Sequence, residues 1–180
     1  MAEPALQPSA PQLHETLWLR ALPGSCRWVL RGDGVARAAA QAALGLPVPG
    51  VACRAGRSGE RAALWLGPDE WLLLAPPEQA GLAARLTRAL GALPHSLVDV
   101  SHRQVGLLVH GEQAVALLAS GCPLDLDLQQ FPIDMCTRTV LGKSEVVLWR
   151  TEAHAFRIEV WRSFAPYVAA FLAEASRGII

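Results

Sequence analysis

One order of elements can be read twice along this chain, and that repetition limits the fold more than any single motif does. Between Glu15 and Ala21, Leu17 and Leu19 alternate with Trp18 and Arg20, the period of a half-buried strand. Cys26 to Arg31 repeats the pattern. Gly32-Asp33-Gly34 then opens an Ala-rich helix to about Leu44, with Asp33 as its N-cap and Gly45 and Pro47 as stop signals. Val51 to Arg54 is the weakest strand of this half. Arg61 to Leu66 and Glu70 to Ala75 form a hairpin about Gly67-Pro68-Asp69, and Glu78 to Leu90 places Leu82, Leu86 and Leu90 at helical spacing. The order then restarts. Leu97 to Val100 and Gln104 to His110 are strands, and a helix runs from Gly111 to about Ala119. An acidic loop from Leu124 to Asp134 follows. Strands at Thr137 to Leu141, Glu145 to Arg150 and Ala155 to Trp161 turn at Gly142-Lys143 and Thr151-Glu152, before a closing helix from about Phe164 to Ala175.

Gly32 and Gly111 each end a strand and open a helix, and Leu64-Trp65 is expected at the hairpin position that Leu148-Trp149 occupies in the second half. The predicted fold is α+β: two pseudo-repeated units, each an antiparallel sheet with helices packed on it. The expected divisions are a flexible tail over residues 1–12, a first half over 13–93 and a second over 94–180, together one compact unit.

At 52% hydrophobic residues the chain is able to bury a full core, and its 16 basic and 16 acidic residues cancel. No basic stripe is available to neutralise phosphates, so nucleic acid is not an expected partner. The apolar stretches are interrupted every few positions by Arg, Asp or Gly, short of the roughly 18 residues of a membrane helix. MAEPALQPSAPQ lacks the basic and apolar regions of a signal peptide, so no membrane association and a cytoplasmic location are expected. Cys26, Cys53, Cys122 and Cys136 form no CxxC pair and are expected as buried thiols.

Catalytic motifs are missing: there is no phosphate loop, no GxSxG elbow, and no HxH or HExxH spacing among His14, His95, His102, His110 and His154, so no catalytic or metal residue is nominated. Asp99-Val100-Ser101-His102-Arg103-Gln104 is the densest polar segment. It reads either as part of a pocket, with Asp99 or His102 as acid or base, or as a strand crossing in which Asp99 and Ser101 satisfy backbone donors. Asp125, Asp127 and Asp134 lack the glycine and terminal glutamate of a calcium loop, which favours a packed edge segment. Trp149, Arg150, Arg157, Trp161 and Arg162 have the composition of interface anchors. Strand parity puts Phe156, Ile158 and Val160 in the core and Arg157, Glu159 and Trp161 on an outer, partner-facing surface.

From Leu97 onward the chain resembles the gamma-subunit family of heterotetrameric sarcosine oxidases. The residues that carry the resemblance are DVSHRQ, GCPLDLD, the Phe131-Pro132 step, CTRTVLGKSEVVLW and EVWRSFAPY in that order, with GPDEWLLLAP around Trp71 as the one marker nearer the start. More distantly the stretch is similar to the folate-binding aminomethyltransferase of the glycine-cleavage system. That enzyme's hairpin carries paired glycines followed by acidic residues, and the matching place here reads Gly142-Lys143-Ser144-Glu145. The resemblance implies an aminomethyltransferase-like fold with Asp99, Ser101, His102 and Glu145 as remnants of a folate pocket. It implies a non-catalytic subunit of an oxidoreductase, with an alpha subunit as partner and beta and delta in the same complex. FAD, FMN, NAD and tetrahydrofolate are then expected in those partners and none in this chain. The complex so implied oxidises sarcosine to glycine, yielding hydrogen peroxide and formaldehyde or 5,10-methylenetetrahydrofolate. A free-standing folate-binding protein is the alternative.

Overall fold

The computed structural model describes residues 12–14, 16–79 and 81–179; most of the expected tail, residues 1–11, lies outside them, as does Glu15. By internal contacts the chain divides into two compact units, one running from Gly24 to His102 and the other combining the segment up to Pro23 with Arg103 onward. This is not the expected division at 93/94. An edge strand β1 (Gln12–His14) precedes β2 (Leu17–Ala21), β3 (Cys26–Gly32) and α1 (Gly34–Leu44). Then come β4 (Ala55–Ser58), β5 (Arg61–Gly67), β6 (Glu70–Ala75) and, after a 3₁₀ turn at Pro77–Gln79, α2 (Leu82–Leu90). The second pass is β7 (His95–Asp99), β8 (Gln104–His110), α3 (Ala114–Ala119), β9 (Cys136–Leu141), β10 (Ser144–Glu152), β11 (Ala155–Trp161) and α4 (Ala165–Ser176).

The two sheets repeat one another. One is ordered β4-β5-β6-β3-β7 and the other β9-β10-β11-β8-β2, with β1 added at the β2 edge. Each half thus places its first strand in the other half's sheet: β2 pairs with β8 (Trp18↔His110, Arg20↔Leu108) and β7 with β3 (Trp28↔Asp99, Leu30↔Leu97). This exchange explains the displaced boundary, because apolar alternation specifies which face a strand buries but not which neighbour it pairs with. The repeat extends to details. Gly32 donates its N–H to Asp69 O at 3.0 Å and Gly111 to His154 O at 2.9 Å, so each strand-ending glycine closes onto the turn of its own hairpin. Both hairpins shift register at the same point, between Trp65 and Gly67 and between Arg150 and Glu152. Trp65 pairs with Trp71 just before the first shift and Arg150 with Phe156 just before the second. Arg150, not Trp149, therefore stands where Trp65 stands.

Several expected boundaries move: the helix expected from Gly111 starts at Ala114, and the strand expected at Leu97 to Val100 runs from His95 to Asp99. Val51 to Cys53 is a bend and turn, with Val51 68% exposed and Cys53 at φ 57°; Arg54 makes a single bridge, its carbonyl accepting from Trp65 N–H at 3.0 Å, and the strand begins at Ala55. β10 continues through Thr151-Glu152, so its turn is Ala153-His154. The helix expected from Glu78 starts at Leu82, because Gln79 N–H bonds Pro76 O in the preceding tight turn.

In the unit from Gly24 to His102, α1 and α2 cover one sheet face: Ala36, Ala40, Leu44, Leu82, Leu86 and Leu90 share a core with Trp28, Leu30, Trp71 and Leu73. Asp33 caps α1 as expected, its Oδ1 accepting from the N–H groups of Val35 and Ala36 at 2.9 Å, and Gly45 ends the helix in the left-handed region. Asp33→Ala is expected to destabilise the chain by about 1 kcal/mol in urea unfolding. In the other unit Leu117, Leu118, Val168 and Leu172 of α3 and α4 close over Leu107, Val109, Leu148, Phe156, Ile158 and Val160. No helix among the described residues is long and apolar enough to cross a membrane.

Candidate functional site

The polar segment after β7 is built into the backbone. Asp99 Oδ1 accepts the Ser101 N–H at 2.8 Å, and Ser101 Oγ accepts the Arg27 N–H at 2.9 Å. Val100 N–H bonds Arg27 O at 2.9 Å, so the β3–β7 pairing is carried past Asp99 by these contacts. Hydrogen bonds from the Ser101 side chain and backbone hold the Asp99 carboxyl below the usual carboxylate range, and the neighbouring His102 adds to this. Since folding lowers this pKa, the turn's contribution is present at neutral pH and is lost as pH falls through the acidic range. His102 is exposed. Glu145 is exposed on β10, paired with Val140, and belongs to the other unit.

The turn before Glu145 has a lid that the sequence reading did not anticipate. Gly142 is left-handed at φ 61°, and a Cβ there would lie 2.6 Å from the Tyr167 hydroxyl, which accepts the Lys143 N–H at 3.0 Å. Tyr167 stacks on Phe171 with ring centroids 6.3 Å apart. The side chains of α4 thus close directly over the Gly142-Lys143 turn.

The five interface candidates separate. Trp149 and Arg150 are buried, at 6% and 1% exposed, and are not surface anchors. Arg157 is spent within the sheet: its Nε donates to Glu159 Oε1 at 2.7 Å, and Glu159 is 1% exposed, contrary to the outer-surface expectation. Phe156, Ile158 and Val160 are in the core as parity requires. Arg162 is half-buried, its N–H bonded to Arg103 O at 2.8 Å. Trp161 is 44% exposed, with the Arg103 guanidinium 5.4 Å from its ring centroid. Phe164 at 46% and Tyr167 at 38% follow it at three-residue steps through the β11–α4 turn. Exposed aromatics with one cation form an anchor-like surface. Its signal was present in Trp161-Arg162-Ser163-Phe164-Ala165-Pro166-Tyr167, where three aromatics share a period that neither strand nor buried helix explains.

The acidic loop is held by local contacts: Asp125 Oδ1 accepts from the Asp127 N–H at 2.9 Å and Asp127 Oδ1 from the Gln129 N–H at 2.8 Å. These Asx turns give each carboxylate a local backbone partner. Cys122 and Cys136 are buried and Cys26 and Cys53 half-buried, all as free thiols. Burial, with Asp99 and Glu78 nearby, raises the Cys26 pKa and so suppresses its reactive thiolate.

Residues 31–178 match the model of the sarcosine oxidase gamma subunit family. Among curated proteins, the sarcosine oxidase subunit gamma of Corynebacterium sp. (strain P-1) is 37% identical over 157 residues, which span 87% of this chain and 73% of the relative. That of Arthrobacter sp. is 40% identical over 133 residues, 74% of this chain and 61% of the relative. Among solved structures, the heterotetrameric sarcosine oxidase from Corynebacterium sp. U-96 in complex with pyrrole 2-carboxylate superposes with a TM-score of 0.86 at 32% identity, covering 90% of this chain and 84% of the matched one. Aminomethyltransferase T of the glycine cleavage system from Bartonella henselae shares the fold, with a TM-score of 0.64 at 15% identity over 86% of this chain and 44% of that one. The repeated sheets, the marker segments and these matches agree, and the chain belongs to the sarcosine oxidase gamma subunit family.

Proposed function

We propose that this chain works in the cytoplasm as the non-catalytic gamma subunit of a heterotetrameric sarcosine oxidase, docking on the alpha subunit in a complex that also contains beta and delta. In this reading the partners carry FAD, FMN, NAD and tetrahydrofolate. The complex converts sarcosine to glycine with hydrogen peroxide and formaldehyde or 5,10-methylenetetrahydrofolate as co-products. The loss of a folate site is supported by Asp99 and Ser101, whose polar atoms bond the local backbone, and by Tyr167, which closes over Gly142. The assembly role rests chiefly on the exposed Trp161 with Arg103 against its ring, continued by Phe164 and Tyr167.

Co-expression with an alpha subunit of the family tests this. The wild-type pair is expected to co-purify, and Trp161→Ala is expected to weaken it by about 2 kcal/mol, roughly thirtyfold in affinity. Trp161 lies on the surface, so the variant's unfolding midpoint should not move. Affinity unchanged by Trp161→Ala would remove the patch from the interface, and a wild-type chain that ignores alpha would overturn the subunit reading. Retention of folinic acid by the chain alone in equilibrium dialysis would instead favour the free-standing folate-binding protein.

A further inference from the structure

The sheet face away from α3 and α4 carries a trough that the Trp161 surface does not use. Trp18, His110, Ala155 and Glu152 lie in one row across β2, β8, β11 and β10, each paired directly with the next. At about 4.8 Å between strands the row is roughly 14 Å long. Ala155 has only a methyl group, so the sheet surface drops between His110 and Glu152, and Leu108 continues this floor into the next row beside Arg20. The resulting cavity has a volume of about 620 Å³. Trp18 is 41% exposed at one end. Among the described residues the side chains of Arg20, His110 and Glu152 make no hydrogen bond or ion pair, although all three line or rim this one depression.

Its shape decides between classes of occupant. Small-molecule sites enclose most of the ligand surface, whereas Arg20, His110 and Glu152 all stand exposed along an open trough. An extended peptide advances about 3.3 Å per residue, so four or five residues match the row from Trp18 to Glu152. Charge fixes the order, with Arg20 near one end and Glu152 at the other. We propose that this trough receives an extended segment of a partner subunit, with a carboxylate toward Arg20 and His110, an apolar side chain over Leu108 and Ala155, and a basic side chain toward Glu152. The proposal rests on the subunit reading and adds a second contact to it, at the opposite end of β11 from Trp161.

Photocrosslinking in the co-expressed complex tests it, with Glu152→p-benzoylphenylalanine as the probe and peptide mass spectrometry as the readout. The expected product joins this chain to one segment of another subunit in which an acidic and a basic residue flank an apolar one. Arg20→Glu and Glu152→Arg should each weaken co-purification at least tenfold without moving the unfolding midpoint, since both side chains are exposed. Crosslinks only within the chain, or only to a second copy of it, would overturn the proposal, as would charge reversals that leave affinity within twofold. A complex that assembles and responds to Trp161→Ala but not to these variants defeats the trough alone. Failure of the wild type to co-purify defeats both readings.

Discussion

Gly111→Ala is expected to destabilise the chain by about 4 kcal/mol or more, enough to abolish most of the yield of folded protein, because no relaxation of a side chain relieves the clash. Gly111 lies at φ 138°, a region that residues with a Cβ rarely adopt. A Cβ there would lie 2.0 Å from Thr16 O and 3.0 Å from Leu17 Cα, both backbone atoms at the start of β2. Either β2 must leave β8 or the N–H of residue 111 must leave His154 O, and each choice breaks the edge of the core around Leu17 and Phe156. Gly34→Ala is the matched control: nothing lies within 4 Å of its Cβ, and it sits at the start of α1. The control should be neutral or stabilising by up to about 1 kcal/mol, since alanine is the better helix former. Urea unfolding followed by tryptophan fluorescence, together with soluble yield, separates the two; equal midpoints for Gly111→Ala and wild type would refute the close-approach argument.

What was legible in the chain follows from which interactions are local. Asp33 could be read as a cap because its acceptor reaches N–H groups two and three residues ahead, and Leu82, Leu86 and Leu90 could be read as core because one helix face repeats at that spacing. The pseudo-repeat was visible for the same reason. The exchange of β2 and β7 between sheets was not, because strand pairing is a contact between distant residues and leaves no mark on either strand's alternation. The outer-surface reading of β11 failed for a related reason. Glu159 is buried opposite Phe156, Ile158 and Val160, so the middle of β11 excludes solvent on both of its faces. A signal for that existed: Val146-Val147-Leu148-Trp149 and Trp71-Leu72-Leu73-Leu74 are unbroken apolar runs, the pattern of strands covered on both faces. Taken into account, they move Trp149 inside and leave Trp161, at the strand's end, as the aromatic that can meet a partner.

Arg150 is the residue whose role changes most, from a proposed surface anchor to the internal clamp of the acidic loop. Its guanidinium donates to Phe131 O at 2.6 Å and to Leu126 O at 2.8 Å, and its plane lies 4.5 Å from the Phe156 ring centroid. Its main chain adds two bonds, accepting from Asp134 N–H at 2.9 Å and donating to Met135 O at 3.0 Å. Burial pulls the guanidinium pKa down, partly countered by the Asp127 carboxylate, yet an arginine remains charged at neutral pH. Arg150→Met keeps most of the volume but leaves two buried carbonyls without donors, at about 1 to 3 kcal/mol each, so a loss of about 3 to 5 kcal/mol is expected. Arg150→Lys should recover part of this at most, because one ammonium cannot reproduce the fork that spans both carbonyls. Amide exchange should rise across residues 125–134 in Arg150→Met well before the sheet opens, since the clamp joins that loop to β10. The loop presents Leu128 at 47% and Ile133 at 43% exposed, so it holds apolar side chains on the surface in a fixed shape without a core beneath each of them. A midpoint for Arg150→Met within 1 kcal/mol of wild type, with unchanged exchange in the loop, would show instead that Asp125 and Asp127 hold this shape through their own turns.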